Sequence, residues 1–564
     1  MVTAESIRGR RPPVESRLYT ATVFLICLTG CAGNQSYSGS FSPALPTVPS
    51  PPPPAAAISY VDCSAATNGN GTQSTPFNTL TSINATTFNP GDQIFFKRGM
   101  TCNGTLAPLG SGTTASPIVV DAYGTGPQPI IDGGMDTAAV QLTNQQGWEI
   151  NNLEIVGGNQ YGVNIAGTAQ NTAYTHFRLT NLNVHGAHYT SVTGDDSGEI
   201  VITIGNAGES LNDIVIDGVQ VHDSQVYNGI YIDAGTGFNT PNPILGNNIT
   251  IRNSTVYNVY GMGMTLFVVN NGLMQNNVVH NTGQCPPNPG CGADTPGGLM
   301  DLACNNCMME NNESYSIQDW SPWDGGDYDV DVWNTNNTVQ YNYGHDSVGY
   351  CVSVFSADGV ASTNHIIRYN VCSNDAQLAN SPDPGEIFLN TAADGVNGSI
   401  DGLEIYNNTF YWNPATPGPA FDTVDASFSG SSPNLFKNNI IYSTVPNLIE
   451  TTSDFALDNN IYWTVGVAPD WNINGADYTD LASYQAASGE DAHSLYTDPM
   501  LNTPDYHSVG APATAFTLLP GSPAIGAGAN VCSGIAGCSM GTQDFWGNPL
   551  PTGSGYNIGA YQGP

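Results

Sequence analysis

WEINNLEIV at 148–156, FRLTNLNVH at 177–185, IVIDGVQVH at 214–222 and ITIRNSTVY at 249–257 are one phrase written four times. It continues as LMQNNVVH at 273, MMENNESY at 308, VQYNYGH at 339, IIRYNVCS at 366, LEIYNNTFY at 403, LFKNNIIY at 435 and FALDNNIYW at 455. Asn152, Asn181, Gly218, Asn253, Asn276, Asn311, Tyr341, Tyr369, Asn407, Asn438 and Asn459 form one column, spaced by 29, 37, 35, 23, 35, 30, 28, 38, 31 and 21 residues. Fixed anchors with variable spacing describe a solenoid whose insertions fall in loops.

Each phrase is a short alternating or apolar strand, a turn at the anchor, and a second short strand. No amphipathic helical stretch is expected after residue 90, which excludes helical repeats. The column after the anchor holds Asn277, Asn312, Asn342, Asn370, Asn408, Asn439 and Asn460. Parallel coils stack about 4.8 Å apart, so these amides can bond to one another up the stack. Asn also tolerates the left-handed backbone of a sharp bend. A further column, His185, His222, Tyr257, His280, Tyr315, His345, then Tyr411, Tyr442 and Trp463, reads as a ladder of rings. The expected fold is all-β, a parallel β-helix.

The chain resembles the right-handed, pectate-lyase-like parallel β-helix proteins over nearly its whole length. YVDCSAATNGNGTQSTPFNTL with NPGDQIFFKRG (60–99) is similar to that group's opening coils, and ASPIVVDAYGTGPQPIIDGG (115–134) to its next two strands. LLPGSPAIGAGAN and DFWGNPLPTGSGYNIGAYQ (518–562) resemble its C-terminal closure. The resemblance implies a fold and leaves the reaction open, because the group includes polysaccharide lyases, glycoside hydrolases and non-catalytic surface proteins.

Arg8, Arg10, Arg11 and Arg17 precede the apolar run Ala21–Leu28 and the tetrad Leu28-Thr29-Gly30-Cys31. Residues 1–31 are therefore expected to be a signal peptide ending in a lipobox, similar to those of bacterial lipoproteins, with the lipid on Cys31. Residues 32–57, which include SPPPP at 50–54, read as an extended tether. Residues 58–564 form one β-helix domain. The chain is expected at the cell envelope, anchored in the outer membrane, or secreted. Membrane contact would come through the lipid alone, since no other segment is long enough to span a bilayer.

Ten cysteines follow the signal, in sequence-close couples: Cys63/Cys102, Cys285/Cys291, Cys304/Cys307, Cys351/Cys372 and Cys532/Cys538. Disulfides are expected of an exported chain. Cys304-Asn-Asn-Cys307 has the spacing of half a zinc site, without a second half. Past the signal, six basic residues face 45 acidic ones. That field excludes nucleic acid and disfavours a polyanionic substrate unless calcium neutralises both sides. Acidic surroundings, in which the carboxylates are protonated, would also account for it.

The chemistry is expected around residues 299–355. In WSPWDGGDYDVDVW (320–333), Asp327, Asp329 and Asp331 alternate with Tyr328, Val330 and Val332. Strand side chains alternate faces, so the carboxylates should share the outer face and the apolar three the core. Asp301 lies ten residues before Asn311 and Asp331 ten before Tyr341, which predicts that the two stack. Such a patch needs a cation, a shared proton or a catalytic role. Asp329 and Asp331, with Asp301 third, are the candidate acid and base or nucleophile of a glycoside hydrolase. Alternatively Asp324 and Asp327, with Asp329 and Asp331, hold Ca2+ for a lyase or for structure, or the acids form a plain ladder.

Trp320, Trp323 and Trp333 offer faces for sugar rings, Tyr350 and Ser353 begin the next outer face, and His345 is a candidate proton shuttle as well as a ladder ring. Arg368, in one column with Arg252, Glu310 and Lys437, is the candidate lyase base or substrate clamp. Gly194-Asp195-Asp196 with Glu199 resembles the Asp-Asp step of polygalacturonases, but the chain has no GHG and no RIK, so 194–199 is read as a loop. The expected function is cleavage of an extracellular polysaccharide by a monomeric glycoside hydrolase. The alternatives are a calcium-dependent polysaccharide lyase and a non-catalytic carbohydrate-binding or adhesive protein.

Overall fold

The chain winds through three long sheets. In the computed structural model, residues 56–188, 197–238, 240, 242–284, 296–318, 324–378, 385–391, 398–423, 426–428, 432–452, 454–533 and 538–563 are described. The first sheet has fourteen strands, from Ile58–Val61 to Phe455–Asp458, and the second fourteen, from Thr101–Asn103 to Leu495–Tyr496. The third has thirteen, from Ala138–Thr143 to Ala476–Tyr478. One coil runs Met308–Glu310, Glu313–Tyr315 and Tyr328–Val330 before re-entering the first sheet at Thr338–Gln340. Strands pair in parallel with their counterparts one coil away, except that Ala476–Tyr478 turns back antiparallel on Asp470–Ile473, and this is the right-handed parallel β-helix that the repeats predict.

The anchors do what their residue types suggest. All eleven, from Asn152 (φ 59°) to Asn459 (φ 56°), are left-handed, Tyr341 (58°) and Tyr369 (52°) included. This bend turns the chain from the first sheet into the second within two residues. The following asparagines are buried and joined head to tail. The Asn277 backbone N–H donates to Asn312 Oδ1 at 2.9 Å, and the Asn312 N–H to Asn342 Oδ1 at 2.9 Å. Asn342, Asn370, Asn408 and Asn439 continue the series to Asn460. Each side-chain amide also reaches a backbone carbonyl, as Asn342 does that of Met309 at 2.8 Å. A buried corner that would leave polar groups stranded is thus satisfied throughout.

Apolar side chains fill the interior in columns. Met309, Val339, Ile367, Ile405, Phe436 and Leu457 follow one another along the first sheet, all buried. Each such burial stabilises by about 1.5–3 kcal/mol. Where the second sheet hands over to the third, the chain passes too close for most side chains. A Cβ on Gly263 would lie 2.5 Å from the Gly298 carbonyl oxygen, and one on Gly298 2.5 Å from that of Asp327.

One expectation needs correction, the Cys304/Cys307 disulfide. A short helix that is not amphipathic, Leu481–Ser488, follows residue 90; Asp480 caps it by accepting the Ser483 N–H at 2.9 Å, and Gly489 (φ 77°) ends it. It is too short and too weakly patterned for its period to stand out. Cys304 and Cys307 are buried free thiols and not a disulfide; the Cys304 thiol donates to the Leu266 carbonyl at 3.4 Å and the Cys307 thiol to that of Val269 at 3.8 Å. Cys63–Cys102, Cys351–Cys372 and Cys532–Cys538 are joined as expected. Among the described residues no helix is long and apolar enough to cross a membrane. Cys31, the tether to residue 55, Cys285 and Cys291 lie outside the described residues.

The C-terminal segment closes over the first two sheets. Asn407 donates to the Asn557 carbonyl at 2.9 Å, and Phe516, Leu518 and Ile558 pack with Tyr343, Val371 and Ile440.

Candidate functional site

The outer face of the third sheet carries the acidic strand. Asp329 is in register with Met300 on one side and Ser353 on the other, and the Ser353 hydroxyl donates to Asp329 Oδ1 at 2.6 Å. Outward strand positions usually meet water, yet Asp329 is 8% exposed and Asp331 9%. Aromatic side chains account for this. Tyr350, Phe355 and Phe388 pack edge-on and stacked at 5.8–6.0 Å between ring centroids. Leu302, Val332, Met300, Phe267 and Trp333 belong to the same cluster, and Phe238 lies against Trp333 at 4.8 Å. The Tyr350 hydroxyl donates to Asp324 Oδ1. Burial pushes the Asp329 carboxyl well above the ordinary carboxylate range, and the charges of Asp331 and Asp324 push it further. A carboxyl that keeps its proton beside other acids can supply that proton to a leaving group.

Two of the expected outer-face acids face inward. Asp301 is in register with Val330, one residue off the predicted partner Asp331, and is fully buried. The slip comes from one extra residue in the next coil: Leu299 pairs with Tyr328, 29 residues on, whereas Asn305 bridges to Thr335, 30 residues on. Ala303 (φ 50°) and Trp333 (φ 61°) are both left-handed at this turn, as is Val268 (φ 57°) one coil earlier. Because side chains alternate, one residue moves Asp301 to the core face, where burial pushes its carboxyl up to about 8. The same insertion puts Val332 in the outer aromatic cluster, not the core.

Asp327 immediately precedes the strand Tyr328–Val330, at the crowded corner. Its Oδ1 accepts from the Ser314 and Ser347 hydroxyls, both at 2.7 Å. There it meets Asp375 and Glu386, acids that the sequence reading did not single out. Burial and mutual repulsion raise Asp327 and Glu386 well above the ordinary range, and burial raises Asp375 to about 7. Glu199 occupies the same corner column further up, with its Oε1 accepting the Ala187 N–H at 2.8 Å. It is therefore a core residue at the start of Gly198–Ile204, while Asp195 and Asp196 lie outside the described residues.

His345 is a ladder ring. It stacks on Tyr315 at 4.9 Å and Tyr343 at 4.4 Å, and bonds Asp346 and Glu313, on the second sheet. Rings from His185 to His345 stack at 4.7–5.0 Å, as predicted. Arg368 lies on the first sheet, where it donates to Gln340 Oε1 at 2.8 Å, the Tyr406 hydroxyl and the Ser539 carbonyl. Gln340 in turn donates to Glu310 at 2.7 Å, so the pair that stands two coils apart is bridged. Arg368 is thus neither base nor clamp for the acidic face. Trp333 and Tyr350 do lie at that face; Trp320 and Trp323 fall outside the described residues.

The strands of the third sheet contain no His, Lys or Arg. Of the four carboxylates expected to share Ca2+, Asp324, Asp329 and Asp331 remain as one set and Asp327 is separated from them. Phe355 and Phe388, missed in sequence, stand at outward positions of VSVF and IFLN; their alternation was the available signal. A shallow cavity of about 300 Å3 elsewhere, lined by Gln128, Asn181, Asn183 and Gln220, has no titratable group and offers no chemistry.

No family model matches the chain, and no curated protein matches it. Among solved structures it is similar to the GH136 lacto-N-biosidase from Eubacterium ramulus at 18% identity and TM-score 0.48, over 74% of this chain and 67% of that one. It is also similar to pectate lyase Pel9A at 15% and 0.36, over 90% and 96%. A mannuronic acid specific polysaccharide family 6 lyase from human gut microbiota matches at 13% and 0.40, over 74% and 89%. At these identities and scores no reaction or substrate is carried over, and the fold rests on the strand registers above.

Proposed function

We propose that the chain is a glycoside hydrolase that cleaves an extracellular polysaccharide at the outer face of its third sheet, with Asp329 as general acid and Asp331 as base or nucleophile. The observation that carries this reading is Asp329 itself: outward-facing, nearly dry, held protonated by burial and by two neighbouring acids, and set among aromatic rings. Asp331 follows Asp329 by two residues, one past the end of the strand, so their Cα atoms are at most about 7 Å apart, compatible with the about 5–9.5 Å between carboxyl groups that the two stereochemical courses require. Ser353 would hold the acid's orientation, and Tyr350 that of Asp324. Trp333 and its aromatic neighbours would bind the apolar faces of sugar rings. The absence of His, Lys and Arg from the described strands of this sheet favours a neutral or weakly charged glycan. We also propose attachment of the chain to the cell envelope through a lipid on Cys31.

The test is release of reducing ends from a polysaccharide panel, with and without chelator, by wild type, Asp329→Asn and Asp331→Asn. Cleavage without an unsaturated product, lowered by roughly 10²–10⁴-fold in Asp329→Asn, supports the proposal. An unsaturated product abolished by chelator would instead indicate a lyase with Ca2+ on Asp324, Asp329 and Asp331. No cleavage, with polysaccharide still retained by the folded chain, would indicate a binding protein.

A further inference from the structure

We propose that Asp301, Cys304 and Cys307 form a structural site for a thiophilic divalent cation, zinc foremost, inside the β-helix behind the acidic strand. The site is built by one coil. Leu299–Leu302 carries Asp301 on its inner face, and Ala303, in the left-handed region, turns the chain so that Cys304 and Cys307 both enter the interior. Amides of the next coil hold this turn: the Cys304 N–H donates to Asn334 Oδ1 at 2.6 Å and the Cys307 N–H to Asn337 Oδ1 at 2.9 Å. One carboxylate oxygen and the two sulfurs lie within 4.8 Å of one another, in residues no more than 1% exposed.

An independent feature points to a ligand. Asp301 Oδ1 is buried with no hydrogen-bond partner, and Oδ2 has only a 3.5 Å contact from the Asn337 amide. A fully buried carboxyl that lacks partners costs several kcal/mol; a cation among the three groups removes that cost. Tetrahedral zinc, with Zn–S about 2.3 Å and Zn–O about 2.0–2.2 Å, requires ligand atoms about 3.5–3.8 Å apart. Small side-chain rotations close the remaining gap. Cys-X-X-Cys supplies the usual half of such a site, and Asp301 stands in for the thiolates of the other half. The fourth position is left for a water or the second Asp301 oxygen. The coils beyond place Asn334 and Asn337, then Ser362 and His365, at the equivalent turn, so the thiols belong to this coil alone among the three. The ion has no part in the proposed hydrolysis. It would brace the strand whose neighbour carries Asp329.

The test uses the full chain, dialysed against zinc and then against buffer. The expected result is about one zinc per chain, with Cys304 and Cys307 protected from alkylation until the chain is unfolded with chelator. Cobalt should give a thiolate-to-metal charge-transfer band. Cys304→Ser is expected to abolish both signals. Asp301→Asn, which keeps both thiols and the shape of the side chain, is expected to weaken binding roughly tenfold or more. The proposal is overturned if folded wild type binds no more zinc or cobalt than folded Cys304→Ser. It is equally overturned if a peptide map of the native chain joins Cys304 to Cys307 by a disulfide.

Discussion

Glu199 should make the protein less stable as the solution becomes neutral, and Glu199→Gln should remove that dependence. The carboxyl is fully buried at the corner column, and burial pushes it up to about 8 from an ordinary value of 4.5. In the folded chain it therefore keeps a proton that the unfolded chain releases above pH 4.5. The unfolded state binds fewer protons across this window, so stability falls from about pH 4.5 to about pH 8 and is constant below it. Each pH unit inside the window is worth about 1.4 kcal/mol, or about 3 kcal/mol between pH 4.5 and pH 7. Glutamine keeps the oxygen that accepts the Ala187 N–H and cannot ionise. The new amide adds an offset that does not vary with pH. Guanidinium unfolding followed by tryptophan fluorescence at pH 4, 5.5, 7 and 8 measures the difference. The variant should gain about 3 kcal/mol relative to wild type between pH 4 and 7. Parallel stability curves would refute the argument that Glu199 is protonated in the fold.

Other outcomes follow from the same geometry. Asp327→Asn, on the inner face, is expected to leave reducing-end release unchanged while Asp329→Asn loses it, measured side by side on the same polysaccharide. His345→Tyr should keep the ring ladder and retain activity; a collapse in turnover with an intact fold would return His345 to the mechanism. Asn342→Leu leaves the Asn312 N–H and the Met309 carbonyl without their partners, which should cost roughly 2–6 kcal/mol at about 1–3 kcal/mol per buried group, read by denaturant unfolding.

The fold was legible because its signals are local and repeated. An Asn at a left-handed bend needs no knowledge of the distant chain, and eleven anchors with a second Asn behind most of them leave little freedom in two sheets. The third sheet was harder to read, since its strands lie between loops of variable length and carry no anchor. There a single inserted residue between Asp301 and Thr335 reversed a facing assignment, which no count from the Asn column could reveal. Asp329 was placed correctly because its alternation with Tyr328 and Val330 is internal to one strand. Asp327 was misplaced because alternation fails just before the strand, where the corner turns the side chain inward. Asp375 and Glu386 were missed for a related reason: they are far apart from Asp327 in the chain and meet only through stacking.

The asparagine ladder has a direction, and a directional array must be stopped. Every link passes a backbone N–H to the side-chain oxygen of the coil that follows, so any added coil with an Asn in this place would extend the array, including one from another molecule. Serine hydroxyls stand at both ends. At the start, Ser254 Oγ accepts the Val219 N–H while the Ser254 N–H donates to Asn277 Oδ1. At the finish, the Asn460 N–H is taken by Ser494 Oγ, whose own proton goes to Asp491. A hydroxyl can join the last rung without offering the planar amide that templates another. The ladder is thus bounded by serine on both sides within the chain, at Ser254 several coils in from the first strand and at Ser494 beyond the last Asn rung.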